Sequence, residues 1–90
     1  MRITLYHTDS CRYCRLAEQL LAKKGIAYEA VDVTDDDARR AWLVDRTGLR
    51  TVPQLFLDGE PIGGFRELDR LDRSGELDRR LAAPPPVAAP

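Results

Sequence analysis

Apolar and polar residues alternate from Arg2 to His7, with Ile3 and Leu5 on one side and Thr4 and Tyr6 on the other. That period of two predicts a half-buried strand. Beyond Cys11 the period lengthens: Ala17, Leu20, Leu21 and Lys24 fall on one helical stripe, Leu16 widens it, and Gly25 supplies a stop. Thr8, Asp9 and Ser10 form a polar turn between the two elements and offer N-cap residues for the helix. Tyr28 to Val33 predicts a second strand. Thr34-Asp35 is then expected to cap a helix through Asp45, where Asp35, Asp36 and Asp37 suit the positive helix start. Ala38, Ala41, Trp42 and Asp45 share a face of that helix, so Trp42 is its expected anchor and Gly48 its end. Gln54-Leu55-Phe56-Leu57 predicts a third strand, Asp58-Gly59 a hairpin turn, and Glu60 to Gly63 a fourth. Phe65 to Asp72 is expected to be helical, followed by a last turn capped by Ser74 and running to Arg80. Asp69–Arg73 and Glu76–Arg80 are acid-before-base pairs at i,i+4, which mark a solvated helix face. Residues 82–90 contain four prolines in nine positions, and 83–90 is expected to be a mobile tail behind a domain of residues 1–82.

The order β-α-β-α-β-β-α selects an α/β fold. Strands one and two, joined through a helix, should be parallel with a right-handed crossover, and the hairpin must be antiparallel. The expected architecture is a four-stranded mixed sheet with helices on both faces. With 90 residues, 43% hydrophobic and 32% charged, the chain has the balance of one small folded domain. A formal net charge of -1 gives no electrostatic case for nucleic acid or an anionic membrane. No stretch approaches the ~18 apolar residues of a membrane span, and Met1-Arg2 leads straight into the first strand rather than a secretory signal. The expected compartment is the cytoplasm, where disulfides are mostly transient and catalytic.

Those composition limits matter because the chain's two cysteines, Cys11 and Cys14, stand three apart. At a helix start this spacing brings the thiols onto one face, with a Cα separation inside the roughly 4.4–6.8 Å that a disulfide accepts. A bridge across three residues closes almost no loop and stabilises little, so the pair is placed for chemistry rather than for strength. Unsatisfied N–H groups at the helix N-terminus favour the thiolate of Cys11, and Arg12 adds a positive charge beside it. Cys11 is therefore the expected nucleophile, and Cys14, one turn inside, the resolving thiol. A zinc site would need four ligands, and only His7 is available beside the two cysteines; no metal is expected. A c-type haem would need histidine where Arg15 stands. His7 is expected to be a surface or hydrogen-bonded strand-end residue.

Three motifs then coincide: Cys11-Arg12-Tyr13-Cys14, Thr51-Val52-Pro53-Gln54-Leu55-Phe56-Leu57-Asp58-Gly59, and Ile62-Gly63-Gly64. Together they resemble the dithiol glutaredoxins over nearly all of residues 1–82. The resemblance implies a thioredoxin-like fold with strand order 2-1-3-4, and glutathione as electron-donating co-substrate with no tightly bound cofactor. It implies a cis Val52–Pro53 bond facing the cysteines. It also implies a glutathione groove of Arg12, Tyr13, Thr51, Val52, Pro53, Gly64, Phe65 and Arg66, in which helix-start N–H groups of Phe65 and Arg66 meet a carboxylate. Partners implied are glutathione, protein disulfides and mixed disulfides, with the protein acting as a monomer. Three residues depart from the family pattern: Arg12 replaces a common proline, Thr8 a common lysine and Arg66 a common aspartate. Glu67 could supply the missing acid. Gly64-Phe65-Arg66 is also similar to redoxins that serve ribonucleotide reductase and take electrons from thioredoxin reductase. A third reading is a glutathione-assisted iron–sulfur cluster-binding module.

Overall fold

Strand β1 (Ile3–His7) lies inside the sheet because it carries partners on both edges. Strand β2 (Glu29–Asp32) pairs with it in parallel, and β3 (Gln54–Leu57) antiparallel. Strand β4 (Glu60–Gly63) completes the order β2-β1-β3-β4 through an antiparallel hairpin with β3. These relations come from a computed structural model that describes residues 1–82; the proline-rich stretch 83–90, with the tail expected there, lies outside the described residues. Asp58 (φ 51°) and Gly59 (φ 84°) both take the left-handed backbone that a tight two-residue hairpin turn requires.

Helices α1 (Arg12–Lys23), α3 (Phe65–Arg73) and α4 (Glu76–Ala82) cover one face of the sheet. Ala17 and Leu21 of α1 meet Ile3, Leu5, Leu55 and Leu57 of the sheet, with Leu68 and Leu77 closing the cluster from α3 and α4. A fully buried leucine contributes ~1.5–3 kcal/mol over an exposed one, so this cluster is the main source of stability. Lys24, the C-cap of α1, reaches Asp72 at 2.6 Å and Asp78 at 2.9 Å, tying α1 to both C-terminal helices. These carboxylates hold the Lys24 ammonium above its ordinary pKa. The predicted pairs Asp69–Arg73 and Glu76–Arg80 form at 2.9 and 3.4 Å.

Helix α2 (Asp37–Thr47) covers the other face with much less. Its one buried residue is Leu43, which meets Val33 and Phe56. The expected anchor, Trp42, is 44% exposed instead. A rotation of one residue turns Leu43 inward, and the indole lies along the rim, stacked at 5.8 Å on Phe56 and 5.8 Å from Tyr6.

Helix starts also differ from the sequence reading. The N-cap of α1 is Cys11 itself, not Thr8, Asp9 or Ser10. Asp36 caps α2 by accepting the Arg39 N–H at 3.0 Å. Thr34 is drawn off to the Asp32 carboxylate, to which it donates its N–H at 2.9 Å and hydroxyl at 2.6 Å. Ser74 closes α3 and also accepts the Glu76 N–H at 3.3 Å, so it serves the joint between α3 and α4.

Candidate active site

The end of β1 hands over to α1 at the carboxyl edge of the sheet, where ligands of open α/β sheets gather. The turn between them is held from both sides. Asp9 donates its N–H to the Thr34 hydroxyl at 2.9 Å. The Arg15 guanidinium donates to the Thr8 carbonyl at 3.1 Å and to His7 Nδ1 at 3.1 Å. His7 is thus an acceptor at the strand end, engaged with Arg15 rather than with a cysteine. Its neighbour across the sheet is Asp32, whose carboxyl is held below its ordinary value first by the Thr34 hydroxyl and N–H, with His7 and Arg15 adding smaller effects.

On that turn Cys11 and Cys14 are joined as a disulfide, with their Cα atoms 5.2 Å apart. The two sulfurs differ in access. Cys14 is 0% exposed, whereas Cys11 is half-buried and caps the helix, its sulfur accepting the Cys14 N–H at 3.1 Å. An N–H aimed at sulfur at a helix start favours the thiolate once the bridge opens. Of the two sulfur-bearing residues, Cys11 is the one open to solution.

The Cys11 sulfur also lies 3.6 Å from the carbonyl oxygen of Val52, and the Val52–Pro53 bond is cis, as the resemblance implied. From there a groove of about 320 Å³ runs between Thr51-Val52-Pro53 on one side and Gly64-Phe65-Arg66 on the other, with Tyr13 beside them. The Tyr13 ring is 52% exposed and stands 6.2 Å from Phe65. Gly64 is the N-cap of α3 and carries no side chain to cap it, so the first-turn N–H groups of Phe65 and Arg66 have no side-chain acceptor. A Cβ on Gly64 would stand 3.2 Å from the Pro53 carbonyl oxygen, which explains glycine at this close approach. Glu67 lines the groove, but one carboxylate oxygen is already taken by the Gly64 N–H at 3.2 Å.

Seven of the eight residues predicted for the groove are brought together here. Arg12, the eighth, is exposed on the first turn of α1 and does not line it. Four residues were missed. Leu49 lines the groove, and Arg40 and Arg50 line an adjoining depression of about 460 Å³ that shares Leu49, Thr51 and Val52 with it. Arg50 could have been found, since it directly precedes the Thr-Val-Pro motif; Arg40 carries no local signal. Gln54 was also passed over. It is buried, and its Nε2 donates to the Thr51 carbonyl at 2.9 Å, fixing the groove wall from inside. Among the described residues no group of three or more His, Cys, Asp or Glu side chains could hold a metal ion.

Comparison with known proteins agrees with this geometry. The sequence model of the glutaredoxin family matches residues 3–62. Glutaredoxin 3 of Escherichia coli K12 is 37% identical over 79 residues, covering 88% of this chain and 95% of its own. A glutaredoxin of Pseudomonas aeruginosa is 36% identical over 81 residues, covering 90% and 96%. Among solved structures, a buckwheat glutaredoxin–glutathione complex superposes with a TM-score of 0.83 at 30% identity, over 88% of this chain and 74% of that one. A dithiolic glutaredoxin of Trypanosoma brucei brucei gives 0.83 at 28% identity, over 90% and 87%. The chain belongs to the glutaredoxin family, and with its Cys11–Cys14 pair on a thioredoxin-like fold it is a thiol-disulfide oxidoreductase.

Proposed function

We propose that the protein uses glutathione to reduce protein disulfides and glutathionylated proteins. The observation that carries this is the groove beside the Cys11 sulfur. It presents the Val52 backbone, two ring faces and the open start of α3 within one small slot. The similarity to a glutaredoxin that is itself a glutathione complex supports the same reading. Val52 offers main-chain partners to an extended thiol peptide, in the manner of strand addition. The N–H groups of Phe65 and Arg66 suit a carboxylate, and Arg40 and Arg50 suit a second one at the far side of Thr51-Val52.

On a glutathionylated protein, the Cys11 thiolate attacks the glutathione sulfur, and the protein thiolate leaves and takes up a proton. A second glutathione thiolate then attacks that same glutathione sulfur, releasing oxidised glutathione and restoring Cys11. On a protein disulfide, Cys11 first forms a mixed disulfide with one substrate sulfur while the other leaves. Cys14 then attacks the Cys11 sulfur, expelling the second substrate thiol and closing the Cys11–Cys14 bridge. Two glutathione molecules reopen it.

Cys11→Ser should abolish both reactions, while Cys14→Ser should keep deglutathionylation and lose dithiol reduction. The donor is decided by comparing turnover with glutathione and glutathione reductase against thioredoxin reductase alone. Turnover only in the second mixture would replace glutathione as the reductant.

A further inference from the structure

The cationic side chains of this chain divide into two groups. Half of them are matched to carboxylates: Arg2 with Glu29, Arg15, beside Cys14, with Glu18, Lys24 with Asp72 and Asp78, Arg39 with Asp36, Arg73 with Asp69, and Arg79 and Arg80 with Glu76. Arg46 donates to the Gly59 carbonyl. Four others around the active site are not matched. Among the described residues, Arg12, Arg40, Arg50 and Arg66 have no carboxylate within ion-pair distance, and elsewhere Lys23, Arg46 and Arg70 share that condition. Arg12 follows the attacking cysteine, Arg66 lines the groove, and Arg40 and Arg50 line the depression that continues it. No carboxylate lines that depression, and the one in the groove, Glu67, is bound to Gly64. Asp9, the nearest acid in sequence to Cys11, lines neither the groove nor the depression.

A chain with net charge -1 therefore shows a concentrated positive rim at its reactive sulfur. Unpaired rim charges act mainly on encounter rate and partner choice, because solvent still screens them. One glutathione, with two carboxylates and an ammonium, does not need four guanidinium groups spread from the start of α1 through the groove to the adjoining depression. We infer that the active-site face is built to receive acidic polypeptide, and that the preferred protein substrates carry Asp or Glu beside the target cysteine. The inference rests on the dithiol reading above but not on glutathione being the donor. Two of the four charges, Arg12 and Arg66, stand where the family resemblance leads one to expect an uncharged or an acidic residue, so the rim belongs to this chain's own sequence.

The test is a single-turnover reaction of the pre-reduced full chain, with no glutathione present. The substrates are three peptides whose single cysteine is linked by a disulfide to 2-mercaptoethanol, flanked by glutamates, serines or lysines. Cys11 attacks, Cys14 resolves, and each turnover yields two thiols and one Cys11–Cys14 bridge. At low ionic strength the glutamate peptide should react about tenfold faster than the lysine peptide, with serine between, and salt should compress the series. The double variants R12Q/R66Q and R40Q/R50Q should each narrow the glutamate-to-lysine ratio. Equal rates for the three peptides at low salt, or a ratio that salt does not change, would overturn the inference. Because no donor is present, a failure of glutathione as reductant leaves this ranking intact, and a flat ranking leaves the donor reading intact.

Discussion

On one face of the sheet, buried side chains from α1, α3 and α4 interlock with β1 and β3 in a cluster of eight, all aliphatic. On the other, α2 seats one leucine on Val33 and Phe56 and leaves Trp42 along a rim. The active site lies where these faces meet. The cysteine pair at the start of α1, and one groove wall at the start of α3, stand on helices of the thick cluster. The other groove wall, Leu49 to Pro53, follows α2, and its Val52 packs against the thin cluster. The difference teaches that the two walls of the groove rest on separate supports, and that the cysteines share the firmer one.

Substitutions can break that comparison. Leu21→Ala, in the thick cluster, should cost about 3–4 kcal/mol in a urea titration, within the range for buried leucines. A loss under about 1 kcal/mol would mean that the cluster is not the core. Leu43→Ala should cost about 2 kcal/mol, since a small cluster at the rim can close over the gap. Its functional signature should be a rise in KM for a glutathionylated peptide larger than any fall in kcat, with the alkylation rate of Cys11 preserved. A slowed alkylation would show that the two supports are coupled. Trp42→Ala should cost only about 1 kcal/mol, the worth of its aromatic contacts, against the ~3–5 kcal/mol of a buried tryptophan.

The smallest effect concerns acid. The Asp32 carboxyl sits below its ordinary value because Thr34 bonds the charged form. A lowered folded pKa contributes stability that is present above the ordinary value of 3.8 and lost as pH falls through the folded one. The gap in urea midpoint between the natural chain and Thr34→Val should therefore narrow from about pH 7 to about pH 2.5. A gap independent of pH would assign the Thr34 contribution to its bond with Asp9 instead.

The strands were readable because their signals are local. Gln54 to Leu57 and Glu60 to Gly63 appear as predicted, since Asp58-Gly59 fixes the turn and hence the register. The cysteines and the two groove motifs were readable for the same reason. Trp42 was misread because its residue type suggests burial, while the helix phase is set by Leu43. Helix starts at Cys11 and Asp36 were misplaced because several polar residues in a row could each cap, and tertiary partners such as Asp32 decide which one does. Arg40 was invisible because only folding brings it to Arg50, ten positions on, in the depression beside the groove.

The close approach of Gly64 to the Pro53 carbonyl has a consequence for how such a protein can change over generations. Two stretches of main chain face each other there, so the spacing of the slot is fixed by atoms that every amino acid shares. Mutation at Tyr13, Leu49, Thr51 or Arg66 can alter what the slot prefers, while its gauge stays constant. Novel substrate preference is therefore accessible by single steps, and a wider ligand is not.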